Sequence, residues 1–228
     1  MAKSSGAKPK SSRKNSWKQN PQAVQENILR VAQEIFAKNG LSGARVDEIA
    51  AMTETSKRMV YYYFGDKEGL YRRTLEEAYR KVRQKEVDLD LDHLDPRAAL
   101  ERLIRFTFRH HSENPDFIRL VMIENIHHGT YLAQSATIRD MNRGAVDQLE
   151  RILKRGRDEG VFRQDADPLT IHWQISAMSF FNVSNRATFS LIFGDRLNSA
   201  TGQRQLEDWA VETVLRPVVV DPRPSDQG

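Results

Sequence analysis

From residue 21 onward, apolar positions recur at intervals of three and four, and strand-like alternation is scarce. The expected fold class is therefore all-α, with about nine helices. Val24, Ile28, Val31, Ala32, Ile35 and Phe36 form one stripe, opened by Asn20 and Pro21 and stopped by Asn39-Gly40. A short helix over about Val46 to Met52 buries Val46, Ile49 and Ala50. After a turn at Thr53 to Thr55, the pattern predicts helices over Ser56 to Phe64 and Asp66 to about Val87.

An aspartate-leucine stretch then interrupts the periodicity, and Asp95-Pro96 opens a helix of roughly 18 residues that ends before Pro115. Further helices are expected over Asp116 to Ile126, Tyr131 to Glu159 with a kink or break at Gly144, Asp167 to about Phe193, and Gln203 to Leu215. The implied organisation is a basic disordered tail over 1–20 and a small helical module with its connecting helix over 21–87. A larger helical domain over 93–219 and a disordered tail over 220–228 complete it.

Composition narrows the function classes. The chain of 228 residues is 39% hydrophobic and 29% charged, enough for a substantial core. The lack of cysteine excludes a disulfide framework, a thiolate metal site and a cysteine nucleophile, and fits a cytoplasmic location. No apolar run approaches the roughly 20 residues of a membrane span, and no apolar segment follows the N-terminal charges as in a signal peptide. The net charge of +4 misleads, because Lys3, Lys8, Lys10, Arg13, Lys14 and Lys18 stand in the first twenty residues with no acid among them. Without them the chain is net acidic. This leader is either an arm that follows DNA phosphates or a solubilising tail.

The most informative run is Thr55 to Lys67, Thr-Ser-Lys-Arg-Met-Val-Tyr-Tyr-Tyr-Phe-Gly-Asp-Lys. A capping serine, two cations in the first turn and three tyrosines on one short helix suit a DNA groove. Together with the preceding helix and turn it forms a helix-turn-helix, whose second helix enters the major groove. Residues 28–75 resemble the DNA-binding domain of TetR-type transcriptional regulators. The resemblance is carried by Phe36-Ala37-Lys38-Asn39-Gly40, Val46-Asp47-Glu48-Ile49-Ala50, Tyr61-x-Tyr63-Phe64 and Lys67-Glu68-Gly69-Leu70. It implies DNA contacts from Ser56, Lys57, Arg58, Tyr61, Tyr62 and Lys67, and core positions for Val60, Tyr63 and Phe64. Two positions depart from the family pattern. Glu54 stands where glycine is usual in the turn, and Arg45 stands where a capping Ser or Thr is usual and is expected to reach a phosphate instead. Residues 21 to 66 hold five basic and six acidic side chains, so placement must supply the affinity.

In such regulators the second domain binds a small effector and dimerises through its last two long helices. Leu206, Trp209, Ala210, Thr213, Val214 and Val218 form a stripe that needs a partner, and Ile175, Met178, Ser179, Asn182, Arg186 and Phe189 form a mixed interface-like face. Effector-pocket candidates are Phe106, His110, Phe117, Met122, Ile126, Trp173, Ala177, Phe181 and Asn182, with His110, Trp173 and Asn182 orienting a polar ligand. The His pairs at 110/111 and 127/128 raise a metal reading. The second Glu-x-x-His of a carboxylate bundle is missing, so no metal or other cofactor is expected. The nucleophile, zinc and phosphate-loop motifs of enzymes are also missing. The expected function is a homodimeric, ligand-responsive regulator, a repressor on a palindromic operator in double-stranded DNA, with no membrane partner. The alternative is a helical interaction module with a degenerate helix-turn-helix, motivated by Glu54 and the low local charge.

Overall fold

The computed structural model describes residues 20–220. The expected tails over 1–20 and 220–228 lie outside the described residues, apart from Asn20 and Val220. Among the described residues there are ten α-helices and no strand, only an isolated antiparallel bridge between Phe162 and Val219. They are α1 (Pro21–Gly43), α2 (Val46–Met52), α3 (Lys57–Phe64), α4 (Lys67–Val87), α5 (Pro96–Glu113), α6 (Pro115–Ile126), α7 (Ala136–Asp158), α8 (Pro168–Ser184), α9 (Arg186–Phe193) and α10 (Ala200–Leu215).

Local chemistry sets most boundaries. The side chains of Asn20, Ser56, Asp66, Asp95 and Asp167 each accept a hydrogen bond from the backbone amide three residues on, satisfying a donor that helix geometry leaves free. Gly40 breaks α1 near its end by adopting φ 68°, where the sequence pattern expects a stop. Several boundaries differ from expectation. The expected long helix from Tyr131 begins instead at Ala136, because Ser135 caps the amide of Ile138 at 3.2 Å. It then passes through Gly144 without a break. The stretch from 167 to 193 divides at Asn185, which leaves helical geometry with ψ 1° and makes two helices of one.

Packing forms two apolar cores. The first is built on α1 to α4 around Ile28, Phe36, Ile49, Val60, Leu70 and Tyr71, and it takes in Phe117, Ile118 and Leu120 of α6. The second joins α5, α7, α8 and α10 around Leu100, Ile104, Leu149, Leu153 and Val214. Within the second, Arg155 of α7 holds the segment before α5, donating to the carbonyls of Leu91, Asp92 and Leu94 at 3.0, 2.7 and 3.0 Å. Arg105 reaches Asp208 at 2.6 Å, and Arg109 reaches Glu207 at 2.7 Å, tying α5 to α10. No helix among the described residues is long and apolar enough to cross a membrane.

α4 belongs to both halves. Its first turns, with Leu70, Tyr71 and Leu75, complete the first core, and its last turns carry Tyr79, Arg83 and Glu86 toward the larger bundle. At 1.5 Å per residue such a helix is about 30 Å long, so it reaches from the first core to the cavity lining of the larger bundle.

Candidate DNA-binding face and effector cavity

The turn between α2 and α3 is closed by backbone pairing. Thr55 N–H donates to the Ala50 carbonyl at 3.0 Å and Glu54 N–H to that of Ala51 at 3.3 Å, the paired bonds of a Schellman motif. That motif puts one residue in the left-handed region, and here it is Glu54 at φ 52°. The buried Thr53 hydroxyl donates to the Ile49 carbonyl at 2.8 Å and helps hold the end of α2. Arg45 precedes α2 without a side-chain cap and is exposed. Asp47 and Glu48, in the first turn of α2, complement its N-terminal dipole instead.

α3 is anchored by Val60, which is fully buried, and by Phe64. Tyr63 is half-buried and packs edge-on against Tyr62 and Phe64. Lys57, Arg58, Tyr61 and Tyr62 sit at i, i+1, i+4 and i+5, share one face and are all exposed, Tyr62 at 77%. Ser56 is used as a cap, accepting from Met59 N–H at 3.3 Å. Lys57 is held by Asp47 of α2, with Nζ to Oδ2 at 3.0 Å, and its ammonium lies 5.9 Å from the centre of the Tyr61 ring. The hydrogen bond to Asp47 raises the Lys57 pKa, keeping the cation charged.

The corner after α3 is tight. Asp66 Oδ1 accepts from Gly69 N–H at 2.6 Å, and a Cβ on Gly69 would lie 2.2 Å from the Phe64 carbonyl oxygen. Lys67 is half-buried and donates to the Ser42 carbonyl at 3.3 Å, which fixes the start of α4 to the connection between α1 and α2. The seven residues expected at DNA therefore divide by position. Arg45, Lys57, Arg58, Tyr61 and Tyr62 present exposed side chains, Ser56 shapes the helix start, and Lys67 braces the corner.

The effector candidates do not share one cavity. Phe117, Trp173 and Ala177 line a half-open cavity of about 340 Å³ between α4, α5, α6, α7 and α8, where Trp173 is 69% exposed. Phe106 and His110 instead line a separate groove of about 510 Å³ along α5 and the end of α4. Phe181 and Asn182 lie on an outer apolar groove shared by α8, α9 and α10. The Asn182 amide is engaged there, donating to Gln203 at 2.9 Å and to Ser112 at 3.1 Å. Met122 packs against the first core, and Ile126 is exposed.

Sequence reasoning missed the polar lining of the half-open cavity: Arg83, Glu86, His111, Asn142, Gln148 and His172. Arg83 and Glu86 pair at 2.5 Å and sit on the inward face of α4, where they continue the stripe of Ala78, Tyr79 and Val82. A charged pair prolonging an apolar stripe was the available signal. Burial pushes Glu86 upward against the pull of Arg83, and burial pushes His111 down to about 4 and lowers His172. His110 is likewise pushed down to about 4 by burial, with Lys85 and Arg83 adding to the shift. Among the described residues no group of three or more His, Cys, Asp or Glu could hold a metal ion. Glu124 is buried and accepts from Leu132 N–H at 2.9 Å, whereas His128 is exposed in a turn at φ 56°.

Known proteins share this arrangement. The family model described as bacterial regulatory proteins, tetR family, matches residues 28–74, and the tetracyclin repressor-like C-terminal domain matches 96–214. The HTH-type transcriptional repressor NicS of Pseudomonas putida is 35% identical over 167 residues, covering 73% of this chain and 79% of its own. The fold matches a TetR family transcription regulator from Marinobacter aquaeolei VT8 at TM-score 0.68 and 19% identity, over 90% of this chain and all of the other. It also matches the ketosteroid transcriptional regulator KstR2 of Mycobacterium tuberculosis at TM-score 0.63 and 20% identity, over 86% and 95% of the two chains. The two matches together take in α2, α3 and the helices from α5 to α10, and the chain belongs to the tetR family of bacterial regulatory proteins.

Proposed function

We propose that this protein is a homodimeric transcriptional repressor that a small molecule releases from a palindromic operator. The observation that carries the reading is the shared helix α4. Its first turn abuts the recognition helix α3, and its last turns line the half-open cavity through Tyr79, Arg83 and Glu86. A ligand that repositions those last turns acts at one end of a lever whose other end holds the DNA-reading helix. Repression as the sign of the response is supported by the likeness to NicS, a repressor.

A dimer is supported by the outer face of α8, α9 and α10, where Phe181, Leu191, Ile192, Phe193 and Trp209 are exposed together, Leu191 at 86% and Trp209 at 58%. Contiguous exposed apolar surface of this kind is the mark of an interface. Two recognition helices would then face half-sites about one DNA turn, roughly 34 Å, apart. The energetic link between the two sites is reciprocal, so operator DNA weakens effector binding by the factor with which effector weakens DNA binding. The location implied is the cytoplasm, where DNA and effector meet.

The test is footprinting of the purified protein on DNA flanking its own gene, with Lys57→Ala and Tyr61→Phe as variants and light scattering alongside. Expected are a protected palindrome, weaker protection in both variants, and a dimer that Trp209→Asp converts to monomer. Undiminished protection by the Lys57→Ala/Tyr61→Phe double variant would sink the assignment of α3.

A further inference from the structure

The half-open cavity has a charge pattern that limits what it can hold. Of the side chains lining it, only Arg83 and Glu86 are charged, and they hold each other at 2.5 Å. Its two imidazoles, His111 and His172, are kept neutral by burial. Every other polar group facing the cavity is an uncharged amide, hydroxyl or indole, and Tyr79, Phe117 and Phe180 supply aromatic surface. The lining is therefore electrically balanced before any ligand arrives. The Arg83 guanidinium keeps donating capacity, because only its Nη1 is bonded to Glu86, and His111 Nδ1 is buried without a hydrogen-bond partner.

We propose that the effector is a small, uncharged aromatic compound carrying a carbonyl-type acceptor for Arg83. This rests on the regulator reading above. A carboxylate ligand would place a second anion beside Glu86 and would have to compete for a guanidinium already paired. A cationic ligand would meet Arg83 with its only counter-ion engaged. Either ion would give up part of its hydration without gaining a free opposite charge, and a partly desolvated, unpaired charge is unfavourable. An uncharged ring exchanges apolar contact with water for contact with four aromatic side chains, Tyr79, Phe117, Trp173 and Phe180. Its acceptor meets the Arg83 guanidinium, of which only Nη1 is bonded to Glu86. The volume of about 340 Å³ lies at the small end of ligand pockets, which suits a compound of one or two rings.

The test uses three probes of the same size on the full-length protein: benzamide, benzoate and benzylammonium. Binding is read by NMR at the indole N–H of Trp173, which lines the cavity, with Trp209 outside it as the internal reference. Benzamide is expected to shift Trp173 alone and to bind about tenfold tighter or more than either ion. Glu86→Gln frees Arg83, so in that variant benzoate overtakes benzamide. If that variant does not fold, Arg83→Met/Glu86→Met restores balance without the pair, and the uncharged probe must remain preferred over both ions. A wild-type preference for benzoate or benzylammonium overturns the proposal, as does silence of Trp173 toward all three at millimolar concentration. Operator binding measured on the same samples separates the two readings. A protein that binds DNA but ignores benzamide loses the ligand class alone, whereas one that takes benzamide but binds no duplex loses the regulator reading.

Discussion

Glu54 occupies a backbone position that favours glycine, and this permits a quantitative experiment on the turn. The residue sits at φ 52° in the Schellman closure of α2. A side chain in the left-handed region costs about 1–2 kcal/mol. Glycine avoids that cost but loses about 0.4–1 kcal/mol through the greater freedom of the unfolded chain. Glu54→Gly should therefore stabilise the protein by about 0.5–1 kcal/mol, which at this size raises the melting temperature by about 1–4 °C. Glu54→Gln keeps the strained Cβ and removes only the charge, so its melting temperature should stay close to the parent's. Both variants take a carboxylate away from the turn that leads into α3, and a carboxylate there would repel DNA phosphates docked on α3 over a Debye length of about 10 Å at 0.1 M salt. Both should then tighten operator binding by the same factor, roughly twofold, in fluorescence anisotropy. Calorimetry separates the effects: equal melting temperatures for the Gly and Gln variants would refute the strain argument, and unequal affinities would refute the charge argument.

Two further expectations concern stability. Gly69→Ala places a Cβ 2.2 Å from the Phe64 carbonyl and should destabilise by about 1–3 kcal/mol, as overpacking does. Gly144→Ala meets nothing within 4 Å inside a helix and should stabilise by about 0.5–1 kcal/mol, so thermal melts of the pair must move in opposite directions. The buried histidines predict a pH effect. His111 has its folded pKa pushed down to about 4 from the ordinary value of 6.5, so its neutral form contributes stability that is complete above pH 6.5. That stability is lost as pH falls toward 4, up to about 3 kcal/mol for this one residue. Melting temperature should drop across that window and drop less in His111→Gln; an identical profile in the variant would exclude His111 as the cause.

The DNA-binding half was readable because its determinants are local. Asn20, Ser56 and Asp66 cap helices through amides three residues away, and the Val60 to Phe64 run sets the exposed Tyr61 and Tyr62 between two buried anchors. The C-terminal half was less readable because local signals there compete. Ser199 caps Gly202 N–H at 3.0 Å and starts α10 at Ala200, three residues before the Gln203 start that the sequence pattern suggests. Asn185 divides a stretch that apolar periodicity ran together. Periodicity also separates inward from outward faces without saying which inward faces meet. Phe117, Phe106 and Phe181 all read as pocket residues, and three different concavities received them.

The bond between Lys57 and Asp47 has a consequence for how binding responds to ionic strength. A free lysine approaching a phosphate is the source of the counterions released from DNA, and each phosphate neutralised steepens the logarithmic salt dependence by about 0.9. Lys57 arrives already carrying its own tethered anion at 3.0 Å. When it turns to a phosphate it leaves Asp47 behind, and that carboxylate must recruit a cation from solution. One ion is freed and another captured, so this contact contributes little to the slope. The protein should therefore hold its operator across a wider range of salt than a count of its DNA-facing cations suggests, and Asp47→Asn should make the interaction both stronger in dilute buffer and more easily washed away.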